Sequence, residues 1–311
     1  MESTYVLVTA ARNEEEYIER TIESIVAQTC LPKKWVIVSD GSTDRTDEIV
    51  TKYATEHDFI ELLRLEDAEE RNFASQVYGQ HAGAERLKDM DYDFIGMLDA
   101  DITVDPDYYE RILKRFEQNP KLGLAGGALL DLWNGEWVPQ KITPSLNVSG
   151  PVQMFRKQIF KDINGYIPLR KGGQDAVAEV MVRMHGWQVA SFNDIKVMHY
   201  RPTGTEGKSI TRAKFACGNA EYLLGYHPLF IIAKCLSRIP EPPFLLGSLS
   251  RLCGYCWPWL RRDRRTVSPQ FVKFLRQEQM QRIWSQFLSR NHEDGNGEHI
   301  HPSPMTEQGS S

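Results

Sequence analysis

Two kinds of hydrophobic pattern alternate along the front of the chain. Tyr5–Thr9 is an unbroken apolar run rich in β-branched residues, the pattern of a strand buried on both faces. From about Glu14 the spacing changes, and Tyr17, Ile18, Ile22, Ile25 and Val26 recur at helical intervals. Asn13 is placed to cap that helix, Glu14 to Glu16 suit its positive end, and Pro32 follows its close. Trp35–Val38 predicts a second buried strand, closed by Asp40-Gly41-Ser42-Thr43-Asp44. A helix through Thr46–Tyr53 and a strand over Ile60–Leu65 come next. Phe94–Leu98 predicts another strand, ending in Asp99-Ala100-Asp101. Asp105-Pro106 opens a helix through Ile112 and Phe116, and Leu122–Leu130 returns to the sheet. The alternation predicts an α/β fold, a mostly parallel sheet flanked by helices. Ligands of such sheets collect at the carboxyl ends of the strands, where both Asp40 and Asp99 fall.

Beyond residue 202 the strand pattern stops. Tyr222–Leu236 is apolar around His227-Pro228. Pro243–Leu260 then gathers leucines, Phe244, Trp257 and Trp259 around a single Arg251, and Arg261-Arg262-Asp263-Arg264-Arg265 follows directly. A mainly helical extension over residues 203–290 is expected. It reads either as an interfacial segment seated among anionic headgroups or as a subdomain packed on the first with solvated arginines. Residues 291–311 are rich in Gly, Ser, Pro and Glu and read as a disordered tail whose histidines form no metal site.

Charge sharpens this division into 1–202, 203–290 and 291–311. The net −5 of the 311 residues is the sum of −11 over residues 1–200, +10 over residues 201–290 and −4 over the remainder. An acidic front domain and the lack of any recognised reading module argue against a nucleic-acid partner. Five cysteines are too few for a disulfide scaffold, and Cys253 and Cys256, with no second pair, read as buried thiols. No basic leader precedes an apolar run, and no window reaches the roughly 20 apolar residues of a membrane span. The expected location is therefore cytoplasmic, peripheral on the inner face of the plasma membrane if the basic section docks there.

Asp99 and Asp101 carry the sharpest chemistry. Two carboxylates at a strand end can share a divalent cation, and hard oxygen ligands suit Mg2+ or Mn2+ with nucleotide phosphates. A solvated turn with Asp101 as a local cap accounts for the pair equally well. Neighbouring motifs break the tie. Val8–Glu15, Val38–Asp44 and Leu98–Asp101 together resemble the family 2 glycosyltransferases, which use a nucleotide-binding domain of the GT-A type. Gly150–Tyr166 and Gly173-Gln174-Asp175 resemble that family's acceptor side, so the resemblance covers residues 4–202.

The resemblance implies roles residue by residue. Ala10, Arg12 and Glu14 would contact the base and ribose, with Arg12 standing where an aromatic residue is common. Asp40 would bind the base of a uridine or guanosine nucleotide, and Arg71 would reach the nucleotide unless it is simply an exposed helical arginine. Asp99 and Asp101 would hold the sugar nucleotide and the metal, with His199 as a further ligand. Asp175 would be the general base, although it could equally cap its helix, and Gln174 replaces a common acidic neighbour. Arg201, Lys208, Arg212 and Lys214, with Gly204 and Gly207, could close over the diphosphate.

The activity implied is inverting, metal-dependent hexosyl transfer from a nucleotide-diphosphate sugar to a glycan or lipid-linked saccharide, as in bacterial surface or exopolysaccharide assembly. Without a Gln-x-x-Arg-Trp segment or membrane spans, single addition is expected rather than processive synthesis. The alternatives are a sugar nucleotidyltransferase, which would want a Gly-rich loop after the first strand, and a non-catalytic nucleotide-binding membrane scaffold. A nicotinamide enzyme lacks its Gly-x-Gly-x-x-Gly signature here.

Overall fold

The computed structural model describes residues 3–66, 73–201, 210–240 and 244–294. Its first half alternates β1 (Tyr5–Ala11), α1 (Ile18–Val26), β2 (Lys34–Asp40), α2 (Thr46–Glu56), β3 (Ile60–Leu65), α3 (Phe73–Arg86) and β4 (Phe94–Leu98). There follow β5 (Ile102–Val104), α4 (Tyr108–Gln118), β6 (Leu122–Trp133), β7 (Glu136–Pro139), β8 (Val152–Arg156), α5 (Lys157–Asp162), α6 (Gln174–Met184) and β9 (Gln188–His199). The extension is helical: α7 (Ile210–Leu223), α8 (Pro228–Ser237), α9 (Phe244–Leu260) and α10 (Pro269–Asp294).

One sheet runs in the order β3-β2-β1-β4-β8-β6-β9-β5, with β7 beside β6. The first four strands are mutually parallel, β8 is antiparallel between β4 and β6, and β6 lies parallel to β9. The chain builds outward from β1 to β3, then crosses back to lay β4 on the other side of β1. Strand order therefore reverses between β1 and β4, and the loops leaving their carboxyl ends open onto the crevice where α/β sheets bind ligands.

Side-chain alternation divides the core. Tyr5 and Leu7 of β1 join Trp35 and Ile37 of β2 in a cluster with α1, α2 and α4. Val6, Val8, Val36 and Val38 point the other way, toward Val77 of α3, Ile159 of α5 and Val182 of α6. Both faces are covered, which is why these strands read as continuous apolar runs.

Two helix starts differ from the sequence expectation. Asn13 does not cap α1: it takes φ +51° and its side-chain oxygen accepts the Thr43 N–H at 2.8 Å, so a turn intervenes and α1 begins at Ile18. Similarly α4 begins at Tyr108, because the Pro106 carbonyl is occupied by the Thr29 N–H at 2.8 Å.

The extension packs on the core through α6, where Leu224, Phe271 and Leu275 meet Val177 and Val180. Helices α7 and α9 touch backbone to backbone. A Cβ on Gly218 would lie 1.9 Å from the Arg251 carbonyl oxygen, and one on Gly254 would lie 2.0 Å from that of Phe215. Arg251, the apparent misfit of an apolar helix, donates to buried Glu221 at 2.8 Å, and Lys234 joins the same carboxylate at 2.9 Å. His227 caps α8, its ring nitrogen accepting the Leu229 N–H. Cys253 is exposed and Cys256 half-buried, which corrects the expectation of buried thiols: α9 turns its glycine side inward and leaves position 253 outside. Among the described residues no helix is long and apolar enough to cross a membrane.

Candidate active site

The loops after β1 and β2 are tied together by polar bonds. The Asn13 amide donates to Ser42 Oγ, the Glu14 amide to Thr46 Oγ1 at 2.8 Å, and the Glu15 amide to Asp44. Asp44 in turn accepts the Thr46 amide and hydroxyl. Arg12 reaches across to the Asp40 carbonyl at 3.4 Å. Ala10, Arg12, Glu14 and Asp40 thus share one edge of the sheet, with Ala10 at the end of β1 packed near Gly79 of α3.

Behind these loops the turn after β4 is fixed from two sides. Thr21 of α1 donates its hydroxyl to the Ala100 carbonyl at 2.6 Å, and the Tyr200 amide donates to the Asp101 carbonyl. Asp101 is buried and sits between two cationic groups, Arg201 at 3.0 Å and His199 Nε2 at 3.5 Å. His199 Nδ1 is bound to Asp131 at 2.7 Å, and Arg201 also holds Glu14 Oε1 at 2.6 Å. The result is a chain of alternating charge: Asp131, His199, Asp101, Arg201, Glu14. Burial opposes protonation of His199, but hydrogen bonds and charge from Asp101 and Asp131 outweigh it and raise its pKa to about 9. Burial likewise opposes ionisation of Asp101, yet His199 and Arg201 hold it below the ordinary carboxylate range. Glu14 Oε2 is buried without a hydrogen-bond partner, an acceptor aimed at nothing in the protein.

Asp99 sits differently. Its Oδ1 accepts from Gln76 Nε2 of α3 at 3.0 Å, and Gln76 in turn meets the amide of Gln174 at 3.5 Å. Burial, with the charges of Asp101, Glu14 and Asp175 nearby, raises its pKa to about 7.

Near Asp99, α6 follows its N-cap Gly173, which takes φ +93°. Asp175 lies inside the helix rather than at its cap position, and its carboxylate packs on Gly150, where a Cβ would stand 2.9 Å from Oδ2. Burial raises its pKa against the opposing pull of the Ala176 amide. One turn on, Glu179 is fully enclosed and accepts from Asn147 Nδ2 at 2.7 Å and the Val148 amide at 2.8 Å.

Among the described residues no three His, Cys, Asp or Glu side chains already converge as a metal cage. Asp101 and His199 are the donors a divalent cation would take here, displacing the proton that Asp101 and Asp131 now hold on His199. Asp101 Oδ2 and His199 Nε2 stand 3.5 Å apart, close to the ~3 Å between adjacent ligands that bonds near 2.1 Å require. His199 has its other nitrogen fixed on a carboxylate, as metal-bound histidines do. Asp99 is turned to Gln76 instead and is not part of that pair.

The description "Glycosyl transferase family 2" matches residues 6–171, from β1 to the loop before α6. The chain belongs to that family. Poly-beta-1,6-N-acetyl-D-glucosamine synthase of Staphylococcus aureus (strain COL) is 33% identical over 118 residues, 38% of this chain and 26% of the relative. The Staphylococcus epidermidis synthase is 27% identical over 175 residues, 50% of this chain and 40% of its own length. The chain therefore spans well under half the length of these relatives. Among solved structures, mannosyltransferase PcManGT from Pyrobaculum calidifontis in complex with GDP-Man and Mn2+ superposes with a TM-score of 0.55 at 14% identity, covering 88% of this chain and 79% of that one. S. aureus TarS 1-349 in complex with UDP-GlcNAc gives 0.52 at 15% identity, covering 88% and 78%. At such identities the likeness shows the fold, a GT-A-like core.

In this member of the family, Glu14, Asp101, His199 and Asp175 all lie within electrostatic range of Asp99. Arg71, Lys208, Gly204 and Gly207 lie outside the described residues. Arg212 and Lys214 lie on α7, whereas Arg201 is already in the charge chain. Gln76 and Asp131 escaped sequence reading. Gln76 sits on an unremarked helix face, and Asp131 lies one residue past the predicted strand end, in the part of β6 that pairs with β7.

Proposed function

We propose that the protein transfers a sugar from a nucleotide-diphosphate sugar to an acceptor hydroxyl of a saccharide, one sugar at a time and with inversion. What supports this reading is that Asp101, held between His199 and Arg201, and Asp175 both lie within electrostatic range of Asp99, which ends β4 beside the strand-order reversal. Arg12 and Asp40 flank the nucleoside end, and the unmatched Glu14 Oε2 is an acceptor for a ribose or base donor. Asp101 and His199 would hold Mg2+ or Mn2+, with Asp99 oriented toward the sugar. Bound there, the cation supplies Lewis-acid neutralisation of the departing diphosphate. Arg201 adds fixed positive charge on the same side. From the opposite side Asp175 accepts the proton of the attacking hydroxyl, and its raised pKa makes it a stronger base than an exposed carboxylate. Attack opposite to the leaving group inverts the anomeric carbon. The donors named in PcManGT, GDP-Man with Mn2+, and in TarS, UDP-GlcNAc, support a sugar nucleotide as donor.

A thermal-shift panel of uridine, guanosine and thymidine diphosphate sugars with and without Mn2+ tests the reading. One donor class should raise Tm, and Mn2+ should enlarge the rise, because a ligand bound to the native state stabilises it. Asp101→Asn should lose the Mn2+ increment. A panel in which no sugar nucleotide shifts Tm would overturn the assignment.

A further inference from the structure

The two most apolar helices of the extension each keep one side out of the protein. On α8, Ile231 and Cys235 are buried, while Leu229, Ile232 and Leu236 are 45–62% exposed. On α9, the glycines, Arg251 and Tyr255 face inward, while Leu246, Leu249, Trp257 and Leu260 are 50–67% exposed. Each exposed set falls at helical spacing along a single stripe. The helices are neighbours, with Ser248 Oγ donating to the Cys235 carbonyl at 2.8 Å. Their inner faces are already filled by the glycine crossing and the Glu221 ion pairs, so the stripes are not an unfinished core.

Large apolar side chains clustered in water mark a surface that something covers. The neighbouring charge says what. Arg261, Arg262, Arg264 and Arg265 follow the α9 stripe directly and are all exposed, with Trp257 and Trp259 at the boundary. Residues 201–290 carry +10 against −11 over residues 1–200. An apolar stripe ending in tryptophans and followed by a basic run has the components that an anionic bilayer surface engages.

We propose that α8 and α9 seat the protein on an anionic membrane, the stripes at the acyl boundary and the arginines among the headgroups. The acidic front domain then faces away from the lipid. This face is one helix from the acceptor side. Gly218 of α7 touches α9, and its neighbour Asn219 accepts from Lys171 at 2.9 Å, beside the glycines that precede Asp175. Resting on the reading of Asp175 as the base, the acceptor is a saccharide carried on a lipid anchor in that same membrane.

Sedimentation of the full chain with phosphatidylcholine vesicles, with and without phosphatidylglycerol, tests the docking. The wild type should sediment with the anionic vesicles and be released by salt. Leu246→Glu with Leu249→Glu should weaken binding by roughly tenfold or more. Arg261→Ser, Arg262→Ser, Arg264→Ser and Arg265→Ser in one variant should abolish the preference for anionic lipid. Both variants should keep the wild-type Tm and the wild-type hydrolysis of a sugar nucleotide in solution, so failure of docking and failure of the transfer reading are separable. The Glu pair should also lose transfer to a lipid-anchored saccharide while retaining transfer to its soluble counterpart. A wild type that stays in the supernatant overturns the proposal. If it is then a dimer that the Glu pair dissociates, the face belongs to a second copy.

Discussion

Asp175 shows how much of its behaviour comes from a neighbour with no side chain. The carboxylate fits because position 150 is glycine, and the enclosure that results lifts its pKa. Asp175→Asn should cut transfer by about 10²- to 10⁴-fold, the usual worth of a positioned base, while leaving the thermal shift by sugar nucleotide intact. In the wild type, the pH profile of kcat/KM should fall on the acid side through a pKa above the ordinary Asp value, and that limb should vanish in the variant. Glu179, one turn along α6, makes a different point. Burial and the charge of Asp175 push its pKa up to about 8. The native state therefore keeps a proton that the unfolded chain releases near its ordinary value of about 4.3, and stability falls as pH rises between the two, by up to about 1.4 kcal/mol per pH unit. Glu179→Gln should remove that contribution. Urea denaturation across this range should show the wild type losing stability relative to the variant as pH increases; parallel curves would refute the assignment.

Among the elements, those decided by their own residues are legible in the sequence. β1, β2, β4 and the apolar face of α1 follow from periodicity because each is decided by its own residues and a two-sided core. Asn13 shows where such reading stops: its sequence context is that of a helix cap, but a loop thirty residues away uses its side chain. Gln76 and Arg251 show the same limit, since their meaning lies in Asp99 and Glu221, remote in the chain and brought near only by packing. The α7–α9 crossing was invisible for a related reason, as two glycines in separate apolar helices carry no signal of meeting. Gly218→Ala should destabilise by about 1–3 kcal/mol or more, since its methyl has no flexible atom to displace. Thermal or urea unfolding measures this, and a Tm equal to wild type would show that the helices can separate freely.

Across the whole molecule the sheet joins two differently built halves. The parallel half was legible as alternating strand and helix. The insertion of antiparallel β8 between β4 and β6 was not, because strand order is set by which distant edges pair. That insertion shapes the site, for it pairs β8 with β4 and carries the turn at Gly150, on which the Asp175 carboxylate packs, to the end of β4. The charge division, by contrast, was plain from composition, and the structure gives it a physical location in the exposed arginines after α9. The motif positions were likewise readable, while the partners that tune them, Asp131 to His199 and Arg201 to Asp101, required the fold.

The bare contact of α7 on α9 constrains how this protein can diversify. With main chain against main chain at Gly218 and Gly254, no exchange of side chains elsewhere can reset the distance between the helices. Drift in the extension is confined to its outer surfaces, so related chains that stay small at both positions would inherit the same platform however much the residues they present to the outside have changed.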